Sequence, residues 1–122
     1  MAVDRLPVYN KTRQLFLQFE LSTKKAPIDI KRGIISDTKS EIIRILEHLS
    51  FADEMVNSVE ARMVFIEDAI RTMRSVKVRV RILFDLHYIK KSGFAALIAL
   101  EEDVFRQLQG WLNKTEQELE TR

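Results

Sequence analysis

Apolar positions along the chain recur at helical spacing. Val8, Thr12, Leu15 and Phe19 follow i, i+4, i+7, i+11, and Phe16 widens the stripe. This pattern predicts an amphipathic helix from Pro7 to about Ser22 or Thr23. Pro7 suits its first turn, where the missing N–H would be unpaired in any case. Lys24-Lys25-Ala26-Pro27 ends it, because Pro27 biases Ala26 away from helical ψ. A second stripe, Ile35, Ile42, Ile45 and Leu49 flanked by Ile43 and Leu46, predicts a helix from about Asp29 or Ile30 to about Ala52. Gly33 weakens its first turns. A break falls near Phe51–Asn57, and Asn57 or Ser58 is placed to cap the next helix. The absence of a capping box leaves one kinked segment as the alternative.

The third helix is predicted over Ser58–Tyr88, with Met63, Ile66, Ile70, Met73, Val76, Val80, Leu83 and Phe84 as its core stripe. Lys90-Lys91-Ser92-Gly93 punctuates the chain, and Ser92 or Gly93 opens a fourth helix. Its stripe is Leu97, Leu100, Val104, Leu108 and Trp111. Beside it, Ile98, Phe105, Leu112 and Leu119 keep a seven-residue spacing that favours near-parallel, coiled-coil-like packing. The acidic, polar tail, residues 115–122, is predicted to fray. The expected fold is all-α: one domain over residues 1–122, an antiparallel up-down-up-down four-helix bundle.

Composition agrees with long elements and few turns. Only 3 Gly and 2 Pro occur among 122 residues. Apolar residues make up 46% and charged residues 31%, enough to bury a core and to exclude disorder. The chain has no cysteine, which excludes disulfides and thiolate metal sites. No apolar run approaches the roughly 20 residues of a membrane helix. The N-terminal stretch lacks the basic-then-apolar layout of a signal peptide. These features predict a soluble, cytoplasmic protein.

Charge is segregated although the net value is only +2. Residues 1–32 are net positive, 33–70 net negative and 92–122 net negative. Residues 71–91 hold Arg71, Arg74, Lys77, Arg79, Arg81, Lys90 and Lys91 against Asp85 alone. On a helical wheel Arg71, Arg74, Lys77 and Arg81 share one side of the core stripe, with Arg79 on the other. Such a ridge attracts phosphates. Alternatively it is a solvated face answered by Glu67, Asp68 and Asp85. Val78, Ile82 and Leu86 form a second apolar face, opposite the first. They predict a subunit interface, or else a helix placed more centrally than its neighbours.

Catalytic signatures are missing. No Glu-x-x-His, H-E-x-x-H, P-loop or G-x-G-x-x-G occurs, so no metal, cofactor or small-molecule substrate is expected. His87 falls near the core stripe and is expected as a packed helix-end histidine. His48 is expected to be exposed or partly buried. Trp111 lies in the last stripe and is expected as a core anchor, with a base-stacking platform as the alternative. Gly110 before it would let another helix approach closely.

Three short stretches carry a family resemblance. Leu6-Pro7-Val8-Tyr9 followed by Thr12, Leu15 and Phe16 resembles the opening of the Avd-like four-helix-bundle family. Val78-Arg79-Val80-Arg81-Ile82-Leu83-Phe84-Asp85-Leu86-His87-Tyr88-Ile89 is similar to that family's third helix, and Gln107-Leu108-Gln109-Gly110-Trp111-Leu112 to its closing Gly-Trp element. Avd is the accessory variability determinant of diversity-generating retroelements. Its superfamily includes bundle proteins encoded in intervening sequences of bacterial large-subunit ribosomal RNA genes. The resemblance implies a homopentameric ring that binds a reverse transcriptase and template-repeat RNA. It implies support of mutagenic cDNA synthesis without catalysis by the ring itself. Arg71, Arg74, Lys77, Arg79 and Arg81 are the expected phosphate or partner contacts, and Val78, Ile82 and Leu86 the expected subunit seam. The alternative is a ribosomal intervening-sequence-type bundle with a structural or RNA-associated role. Avd proteins are strongly basic and this chain is nearly neutral, so the polymerase would share the RNA contact.

Overall fold

A computed structural model describes residues 3–121, and within them every regular element is helical. Helix α1 (Pro7–Ser22) starts on its proline and buries Val8, Thr12, Leu15 and Phe19. Thr12 tolerates burial because its hydroxyl donates to the Val8 carbonyl at 2.8 Å. Thr23 closes the helix by donating both its backbone N–H and its hydroxyl to the Phe19 carbonyl.

After Pro27 a single turn, Ile28–Ile30, runs into a π-helical stretch, Lys31–Ile35. Gly33 sits inside it with non-helical angles, φ −96° and ψ −111°. The weak point expected at Gly33 is therefore a register change, the wide turn that a π-bulge makes. It sets Ile35 into the core ahead of α2 (Ser36–Glu54), which buries Thr38, Ile42, Ile45, Leu49 and Ala52. Met55–Ser58 break the chain. Ser58 caps α3 (Val59–Asp85) by accepting the Ala61 N–H at 3.4 Å, so α2 and α3 are separate helices.

Helix α3 ends in a Schellman turn. The Tyr88 N–H donates to the Leu83 carbonyl and the His87 N–H to the Phe84 carbonyl. His87 occupies the left-handed position, φ 67°, that glycine usually takes. Its side chain is exposed, which corrects the expectation of a packed histidine. Reversing the chain there swings the imidazole off the core side.

Helix α4 (Lys91–Glu120) buries Leu97, Glu101, Val104, Leu108, Leu112 and Thr115. It continues past Thr115 to Glu120, where the sequence predicts fraying. Thr115 is fully buried and donates to the Trp111 carbonyl, and Arg62 pairs with Glu118. These contacts hold the last turns. Close approach at Gly110 is also corrected, since a Cβ there meets nothing within 4 Å. The tight contact is at Gly93, where a Cβ would lie 2.7 Å from Ser22 Oγ.

Helix α3 packs against α2 and α4, and α1 completes the bundle by packing against both α2 and α4. One core runs through all four, with Trp111 and Phe105 half-buried against it. Ion pairs join helix ends: Glu20 to Lys39, Arg62 to Glu118, and Arg79 to Glu41. Phe84 and Phe94 stack with ring centroids 4.0 Å apart where α3 gives way to α4.

Candidate nucleic-acid interface

The outer surface of α3 carries the charged and apolar positions that the sequence singled out. Its inner positions, Met73, Val76, Val80 and Leu83, are wholly buried. Its outward positions Val78 and Ile82, and Leu86 just past its end, remain 59%, 42% and 55% exposed. Helix α3 is thus apolar on two opposed sides, and one of them faces solvent.

The cations fall into separate groups. Arg74 and Lys77 line a groove of about 530 Å³ with Val78, Glu102 and Phe105. The Lys77 ammonium lies 5.8 Å from the Phe105 ring centre, and the Arg81 guanidinium 5.8 Å from that of Phe94. Both cations therefore lean over aromatic rings of α4, an arrangement worth roughly 0.5–1 kcal/mol at exposed sites. Arg71 pairs with Asp68 at 2.6 Å, and Arg81 with Asp85 at 3.2 Å. These one-turn pairs are exposed and weak, so a phosphate can compete for either guanidinium.

Arg79 does not join this ridge. It reaches across to α2, with Nε 2.7 Å from Glu41 and a terminal nitrogen 3.9 Å from Asp37. The ridge is thus Arg71, Arg74, Lys77 and Arg81, edged on one side by Val78, Ile82 and Leu86.

One ionisable residue beneath the ridge was not singled out from sequence. Glu101 is 1% exposed, and neither carboxylate oxygen has a hydrogen-bond partner. Burial raises its pKa to about 7, opposed by the positive charge of Lys77 and aided by neighbouring Glu102. The missed signal is its register. Leu97, Glu101, Val104 and Leu108 keep the four-then-three spacing of a buried seam, and Glu101 is the polar member.

His48 is half-buried, edge-on to Phe65, with burial lowering its pKa. Among the described residues no three His, Asp or Glu side chains cluster as a metal site, and no helix is long and apolar enough to cross a membrane. No protein-family model matches the chain, and no curated protein matches it.

Proposed function

We propose that the chain is a non-catalytic accessory subunit of a diversity-generating retroelement. It binds the reverse transcriptase and the template RNA and supports mutagenic cDNA synthesis. Copies of an antiparallel up-down-up-down bundle join through the outer face of α3 into a ring, a homopentamer. The Avd-like stretches bring this reading to the chain. The observation that carries it is the second apolar face of α3, Val78, Ile82 and Leu86, exposed beside Arg74, Lys77 and Arg81. A helix apolar on opposed sides calls for a second partner, and cyclic closure covers that face on every copy. The pairs Glu20–Lys39 and Arg62–Glu118, each between the end of one helix and the start of another, support the antiparallel course.

A ribosomal intervening-sequence-type bundle is the second reading. It is favoured by the carboxylates that already answer Arg71 and Arg81. Gene neighbourhood separates the two. A reverse-transcriptase gene with a repeat pair selects the first, and a position inside a ribosomal RNA gene the second.

The test is solution mass with RNA binding. Light scattering at micromolar strength is expected to give five copies of the 14.3 kDa chain. Ile82→Asp is expected to dissociate the ring without loss of helicity. Replacing Arg74, Lys77 and Arg81 by Gln together is expected to weaken RNA binding and flatten its salt dependence. A 14.3 kDa particle indifferent to RNA and polymerase overturns the proposal.

A further inference from the structure

Two lysine-bearing connectors, far apart in sequence, meet at one end of the bundle. Lys24 and Lys25 follow α1, and Lys90 precedes α4. Between them lies a cleft of about 550 Å³ with no Asp or Glu in its lining. Among the described residues, none of these three lysines makes an ion pair. They differ in this from Arg71 and Arg81 on the ridge, which carboxylates answer. All three lysines are exposed at the rim of one cleft, and their ammonium groups are available to an anion.

The neutral lining also offers donors. Ser22 Oγ accepts a hydrogen bond from Gln18 Nε2 at 2.8 Å, so its own proton is left to donate. Helix α4 opens on the cleft through Ser92 and Gly93. Its cap residue is Lys90, whose side chain cannot accept a hydrogen bond. The first backbone N–H of α4 taken up by the chain is that of Phe94, which donates to the Lys90 carbonyl at 2.9 Å. The N–H groups before it thus lack a side-chain cap, at the positive end of a 30-residue helix. The remaining wall is formed by Leu21, Ala26, Tyr88 and Ala96, with the His87 imidazole beside them. Two flat side chains, Tyr88 and His87, next to Ala26 and Ala96 suit a flat ring rather than a long alkyl chain.

We infer that this cleft is a nucleotide site, which holds one phosphate among Lys24, Lys25 and Lys90 and seats the base on the wall at Tyr88. The ligand is a nucleoside monophosphate unit, free or as one residue of a single-stranded RNA. Its RNA form rests on the RNA-binding proposal above, and its free form does not.

Calorimetric titration with AMP, adenosine and inorganic phosphate tests the site, alongside fluorescence anisotropy with a labelled ten-nucleotide RNA. The parent, Lys24→Gln/Lys25→Gln/Lys90→Gln and Arg74→Gln/Lys77→Gln are compared, with circular dichroism as the folding control. AMP is expected to bind saturably and more tightly than either adenosine or phosphate. The lysine variant is expected to lose at least about tenfold in AMP affinity, the worth of one charge-assisted hydrogen bond. The arginine–lysine variant is expected to bind AMP as the parent does. Competition of AMP with the labelled RNA assigns the site to the strand. AMP binding without RNA binding assigns it to free nucleotide, and then the RNA reading fails while the cleft stands. A folded lysine variant that binds AMP and RNA like the parent overturns the inference and leaves the ridge reading intact. Phosphate binding as tightly as AMP also overturns it, since the wall then contributes nothing.

Discussion

Arg79 Nε lies 2.7 Å from a buried carboxylate oxygen of Glu41, so this arginine ties α3 to α2. The pair is only partly accessible to water, and removing one partner leaves the other charge poorly solvated. Arg79→Ala is expected to lower unfolding free energy by about 1–2 kcal/mol, discounted for the guanidinium's partial exposure. RNA affinity and its salt slope are expected to stay at parental values. Urea melts and salt-dependent anisotropy check the two halves; a flattened salt slope would return Arg79 to the ridge.

Glu101 is expected to give the protein a pH-dependent stability. Burial pushes its carboxyl from the ordinary value of 4.5 up to about 7 in the folded chain. Between those values the folded chain keeps a proton that the unfolded chain has released, so stability falls as pH rises through this window and levels off above it. Glu101→Gln removes the ionisation and is expected to be more stable than the parent at pH 8, by on the order of 2 kcal/mol. At pH 4 the two are expected to converge. Denaturant midpoints across pH 4–8 measure this, and a parental curve with no downward slope refutes it.

The same substitution at two glycines is expected to act with opposite sign. Gly93→Ala places a methyl group 2.7 Å from Ser22 Oγ and 3.2 Å from Ser22 Cβ, pressing α1 away from the first turn of α4. Overpacking of this kind costs about 1–3 kcal/mol, against at most about 1 kcal/mol gained in helix propensity. Gly110→Ala meets no atom within 4 Å and is expected to gain about 0.5–1 kcal/mol. Thermal melts of the two variants decide it.

His87 holds a left-handed backbone conformation at φ 67°, which costs a residue with a Cβ roughly 1–2 kcal/mol. His87→Gly is expected to raise stability by about 0.5–1 kcal/mol, the strain relieved less the extra chain entropy of glycine. A lower melting temperature would show that the imidazole makes a stabilising contact instead.

Much of the core was legible from spacing alone. Val8, Leu15, Phe19, Ile42, Ile45, Leu49, Ile66, Met73 and Val80 fall on helical stripes, and all are buried. A helix has one period, so the side that must leave water can be counted along the chain. Pro27 and Ser58 marked boundaries because their effects on the backbone are local. The stop at His87 was not legible, because nothing local distinguishes a histidine that will adopt positive φ, and Lys90-Lys91-Ser92-Gly93 offered a stronger signal nearby.

The sequence by itself determined which positions turn inward, where most helices break, and that α3 is apolar on two sides. These follow from periodicity and from backbone chemistry within a few residues. Tertiary structure alone decided that Arg79 is spent on Glu41, that Glu101, whose register already marks a seam position, is left there without a hydrogen-bond partner, and that Lys24 and Lys25 border the same cleft as Lys90. Each of these depends on which helix lies beside which. Charge interacts through space over a few ångströms, and only packing brings groups that are distant in sequence within that range.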